Sequence, residues 1–76
     1  MVGGWKMDIK LGRYRHFKGK DYQVLGFATH SETGETMVVY RALYGEGGLW
    51  VRPASMWTER VERFDYSGPR FTYIGE

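Results

Sequence analysis

Seventy-six residues amount to one small domain, with no room for a second module or a catalytic insertion. The absence of cysteine rules out disulfides and cysteine-ligated zinc or iron–sulfur sites, and leaves 3 Trp, 6 Tyr and 4 Phe to supply the buried area that a small core needs. A hydrophobic share of 42% against 26% charged residues fits a folded soluble chain, and a net charge of +2 does not by itself point to an acidic partner.

Residues 1–11, with Gly3 and Gly4 adjacent and no sustained period, read as a flexible arm, and residues 12–76 as a single small β domain. Arg13–Phe17 is predicted as a strand, with Lys18–Asp21 as the turn after it. Tyr22–His30 follows as a longer strand carrying Gly26 near its middle, which suits a bulge or a barrel corner. Ser31-Glu32-Thr33-Gly34-Glu35 is the clearest local signal. It matches a type I turn followed by a G1 bulge, with Gly34 in the left-handed region. Thr36–Leu43 returns as the partner strand. Tyr44–Gly48 is a second glycine-rich reversal, and Leu49–Pro53 a short strand ended by the missing N–H of proline. Ala54–Glu62 has helical spacing over too few residues for more than a short 3₁₀ or α turn near Met56. Val61–Tyr66 is predicted as strand, Ser67-Gly68-Pro69 as turn, and Phe71–Ile74 as the last strand. Five or six short strands joined by tight turns predict a mostly β fold. A small SH3-like barrel, closed to leave few exposed edges, is the economical form, with an OB-type barrel as the alternative.

Charge is uneven along the chain. Residues 1–30 hold six Lys or Arg against two Asp, whereas residues 31–76 hold five Arg against seven Asp or Glu. The basic third is either an anion-binding patch or an edge guarded by lysines. The longest apolar runs span four residues, such as Met37–Tyr40, where a membrane helix needs about 20. With no apolar leader in Met1–Lys6, a cytoplasmic location is the expectation.

Little supports catalysis. No serine lies in a Gly-x-Ser-x-Gly elbow, and His16 and His30 lack metal-site spacing, so no metal or cofactor is expected. Binding is better supported. Arg and aromatic residues recur together in Arg13-Tyr14-Arg15-His16, in Tyr40-Arg41 and in Trp50 with Arg52. Strand alternation puts Trp50 and Arg52 on one face and Leu49 and Val51 on the other. If Leu49 and Val51 line the barrel, Trp50 and Arg52 stand outside it or at its mouth. Such a cluster can stack planar rings and pair with phosphate or carboxylate. The ordinary alternative is that Trp50 packs on its neighbours and Arg52 pairs with a glutamate.

Several ordered stretches carry a resemblance. Tyr14-Arg15-His16-Phe17-Lys18-Gly19, Tyr22–Gly26, His30-Ser31-Glu32-Thr33, Val38–Gly45 and Trp50-Val51-Arg52-Pro53 resemble a family of short bacterial proteins, the domain of unknown function 1653, over about Gly12 to Ile74. The resemblance implies a small, stand-alone, mostly β bacterial domain and no established activity. Its pattern falls on Arg15, His16, His30, Ser31, Glu32, Tyr40, Tyr44, Trp50 and Arg52. Trp57 and the lead-in Met1–Leu11 depart from it. Taken together, the residues predict a non-enzymatic binding module. Trp50 and Tyr40 would be its stacking surfaces, Arg52 and Arg15 its anion donors, and His16 and His30 its hydrogen-bonding groups, with Glu32 and Tyr44 at the site. The partner would be planar or anionic: single-stranded RNA, a nucleotide, or a peptide. The alternative is a small enzyme using His30 and Glu32 as an acid–base pair.

Overall fold

A computed structural model describes residues 9–76. Alternating side chains and glycine turns produce an antiparallel, mostly β chain. Four strands form a meander: β1 (Gly12–His16), β2 (Asp21–Thr29), β3 (Thr36–Ala42) and β4 (Leu49–Pro53). One turn of helix, α1 (Ala54–Trp57), leads to the hairpin β5 (Arg60–Arg63) and β6 (Tyr66–Pro69), and β7 (Phe71–Gly75) ends the chain. The main sheet has the order β4-β3-β2-β1-β7, and β5 with β6 makes a separate two-stranded sheet.

The predicted closed barrel is not formed. Closure would require β4 to meet β7, but the segment between them folds into a hairpin that pairs with itself. Among the described residues the strand count is seven, because the expected Val61–Tyr66 strand reverses at Phe64-Asp65, where Arg63 pairs with Tyr66. That turn lacks the glycine or asparagine that marks a two-residue hairpin, so the sequence does not announce it. The turn expected at Ser67-Gly68-Pro69 lies inside β6 instead. The side of proline that has no N–H is tolerated there because a two-stranded ribbon is all edge.

The expected bulge in β2 is present: the register with β3 shifts between Val24 and Gly26. Gly34 has φ +77°, as its turn requires. The loop is nevertheless longer than a three-residue G1 type. Gly34 N–H donates to the His30 carbonyl at 2.8 Å, and His30 N–H donates to the Glu35 carbonyl at 2.8 Å. Ser31–Gly34 therefore form a four-residue connection.

The inner face of the sheet carries the core. Tyr14, Val24, Val38, Tyr40 and Phe71 are buried there, and α1 lays Ala54 and Trp57 over them. The Trp57 indole lies flat on Phe71, with centroids 3.7 Å apart and planes 3° from parallel, and Tyr14 and Tyr40 close on it at 5.4 and 4.9 Å. Of the predicted arm, residues 1–8 lie outside the described residues. Ile9 is buried in the core, and Lys10 is tied to Tyr14 through its N–H to the hydroxyl (2.8 Å) and the hydroxyl to its carbonyl (2.9 Å). Among the described residues no helix is long and apolar enough to cross a membrane.

Two glycines distinguish conformational cost from crowding. A Cβ at Gly34 would meet nothing within 4 Å, whereas at Gly12 (φ +133°) it would lie 2.8 Å from the Gly75 carbonyl oxygen. Gly34→Ala should destabilise by about 1 kcal/mol, the backbone term alone. Gly12→Ala should cost clearly more. Urea midpoints at constant m-value measure both, and equal losses would refute the distinction.

Candidate functional site

The inner face is not fully covered. Cross-strand pairing sets Trp50 opposite Tyr40 and Arg52 opposite Val38, so all four share the core side of the sheet. The expectation that Leu49 and Val51 line an interior is therefore reversed. They occupy the outer face, 59% and 58% exposed, because strand alternation turns them away from the side on which Tyr40 and Val38 join the core. Trp50 is on the inner face but at its free margin, and it is 59% exposed.

Arg52 is half-buried beside it, reaching across the core so that its guanidinium carbon sits 5.5 Å from the centre of the Phe71 ring. Its Nε is buried without a hydrogen-bond partner, and among the described residues Arg52 enters no ion pair. A guanidinium held this way is short of acceptors, which a carboxylate or phosphate would supply bidentately. Arg70 is also half-buried with an unpartnered Nε, although its Nη2 reaches Glu59 at 3.1 Å.

His16 completes the cluster from β1. Its ring meets Phe71 edge-on at 5.0 Å and Tyr22 at 6.5 Å. Lys18 N–H donates to His16 Nδ1 at 3.1 Å, so the neutral imidazole carries its proton on Nε2. Burial, then the positive charges of Arg52, Arg70 and Lys18, hold its pKa below the usual histidine value. The rim continues through Tyr22, whose hydroxyl shares a 2.9 Å hydrogen bond with that of Tyr44. Burial and that bond push Tyr22 up to about 12. Tyr44 is exposed, with Lys20 Nζ 4.7 Å from its ring centre.

His16, Tyr44, Trp50 and Arg52 thus border one face. Tyr40 belongs to it by position but is 7% exposed and packed on Trp57, so it supports the face and offers no stacking surface. Arg15 points to the opposite side, where it forks onto Asp21 at 2.7 and 3.1 Å. His30 and Glu32 lie at the far end of β2, eight residues from Tyr22, or up to about 26 Å along the strand. There His30 Nδ1 accepts the N–H groups of Glu32 (3.1 Å) and Thr33 (3.4 Å), which fastens the turn. Sequence reasoning missed Tyr22, Phe71 and Arg70. Tyr22 shares a strand face with Val24, a signal that could have found it, whereas Phe71 and Arg70 join only through the pairing of β7 with β1.

Fold and surface define a small antiparallel β domain with a cationic, aromatic margin on its inner face. The chain belongs to the family described as Protein of unknown function (DUF1653), whose model matches residues 12–73. It is similar to the crystal structure of a member of that family from Bordetella bronchiseptica, at 41% identity and a TM-score of 0.82 over 90% of each chain. No curated protein matches it.

The lowered pKa of His16 makes stability depend on acid. The unfolded chain takes up a proton near pH 6.5, before the folded chain does, so stability should fall as pH drops from 7.5 through 6.5. His16→Gln should lose that part of the slope. An NMR titration of the His16 ring proton with a midpoint at or above 6.5 would contradict the assignment.

Proposed function

We propose that this domain is a non-enzymatic binding module of the bacterial cytoplasm whose inner margin receives a planar or anionic partner. Trp50 supplies the stacking surface, Arg52 the anion donor, and the His16 Nε2–H and the Tyr44 hydroxyl the surrounding polar groups. Single-stranded RNA, a nucleotide and a peptide all combine such features. The observation that carries this reading is Arg52: a half-buried guanidinium with an unpartnered Nε, next to an exposed indole on the same strand face. We also assign the chain to the SH3-like group of small β folds. A four-strand meander, a helical turn, and a last strand that returns to pair with the first support that assignment. The alternative enzyme has no comparable support, since His30 Nδ1 is engaged by the backbone of its own turn.

Titration with short single-stranded RNA, nucleotides and acidic peptides, followed by tryptophan fluorescence at two salt concentrations, tests the proposal. Trp50→Ala should leave the domain folded, because the ring is exposed, and should remove a stacking contribution of roughly 1–3 kcal/mol. Arg52→Lys should weaken binding as well, since an ammonium keeps the charge but loses the planar fork. Unfolding of Trp50→Ala, or a ligand that binds independently of both residues, would overturn the reading.

A further inference from the structure

Strand β4 is open along its backbone as well as its side chains. Ala42 N–H donates to the Gly48 carbonyl at 3.0 Å, and the register continues as Arg41 with Leu49, Tyr40 with Trp50, Val39 with Val51 and Val38 with Arg52. Antiparallel ladders alternate bonded and non-bonded pairs. Trp50 and Arg52 therefore turn their backbone groups toward β3, while Leu49 and Val51 turn theirs outward. The parity agrees one strand further in, where Leu43 N–H donates to the Asp21 carbonyl at 2.9 Å and so directs Leu43, Arg41 and Val39 to β2. Among the described residues no strand pairs with the outward side of β4.

We propose that β4 accepts an extended acidic peptide as an additional antiparallel strand of the main sheet. This rests on the binding face proposed above and assigns it one partner class. Stacking on Trp50 leaves two features unexplained, the exposure of Leu49 and Val51 on the other face and the outward N–H and C=O groups of the same two residues. A strand laid along β4 covers both. Sheet edges are usually blunted by lysine, proline or a bulge, and the Leu49–Val51 stretch has none of these. Pro53 then ends the ladder, so pairing is confined to Leu49–Arg52. Charge selects the partner. The incoming residue opposite Arg52 shares its face, and a carboxylate there meets the guanidinium that lacks an acceptor. The residue opposite Trp50 is apolar, and those opposite Val51 and Leu49 are branched and apolar. Read antiparallel, the peptide runs acidic, branched, apolar, branched.

The probe is acetyl-Thr-Glu-Val-Leu-Val-Thr-amide, followed by amide hydrogen exchange and NMR shifts on the 76-residue protein. The Leu49 and Val51 amides should become protected from exchange. N-methylating the two valines should weaken binding by about tenfold or more, the scale of a lost hydrogen bond or two. Val51→Pro removes an outward donor and no hydrogen bond to β3 and should do the same, and because proline also changes the side chain and fixes φ, the N-methylated peptide makes this measurement without altering the protein. Replacing the peptide's glutamate by lysine, or Arg52→Gln, should abolish binding. Uridine monophosphate and an oligouridylate serve as the nucleic-acid arm. If either they or the peptide shift Trp50 and Arg52 while the Leu49 and Val51 amides exchange freely, strand addition is wrong and the binding face stands. If nothing shifts Trp50 or Arg52, the binding face itself fails.

Discussion

The rest of the structure depends on the stack of Trp57 on Phe71. A four-residue helix has no stability of its own, and α1 persists because its indole lies flat on a ring from the last strand. The contact joins the helical turn after the meander to the strand that returns to β1, so it links both ends of the main sheet through the core. Its depth carries a cost: the Trp57 indole N–H is buried without a partner, an expense of about 1–3 kcal/mol for such a group. Ring contacts with Tyr14, Tyr40 and Phe71 offset it. Phe71 in turn carries the Arg52 guanidinium, so core packing also positions the group with the most unmet bonding capacity.

A second constraint is the open sheet. The β5–β6 hairpin satisfies its own backbone and does not bridge β4 to β7, leaving two margins. One of them, β4, combines exposed apolar side chains on both faces with a half-buried cation. Closure into a barrel would leave Leu49 and Val51 on the outside but enclose the face of Trp50 and Arg52, and Arg52 would then have to leave the interior or find an acid. Openness allows Arg52 to lie on an aromatic ring while its neighbour Trp50 faces solvent.

Much of the fold was legible in the sequence because its signals are local. Gly34 marked its turn through the need for positive φ, Gly26 its bulge, and Pro53 the end of β4. Alternation correctly grouped Trp50 with Arg52. It misassigned the face they occupy, because alternation separates two faces without saying which is buried. The Phe64-Asp65 reversal was missed because it has neither glycine nor asparagine to mark it, and Gly68-Pro69 misled because turn chemistry also serves a two-stranded edge.

Within the candidate site the division follows the same line. The residue types and their strand parity are properties of the sequence by itself: an arginine and a tryptophan two apart, histidine and tyrosines nearby, and no cysteine. Their roles were decided by tertiary contacts. Tyr40 is buried under Trp57 while its cross-strand partner Trp50 is exposed, Arg15 is spent on Asp21, and His30 fastens a turn far from His16. Each outcome depends on which strand lies at the margin and which ring covers the core. Those are contacts between residues distant in the chain, for which a sequence period carries no signal.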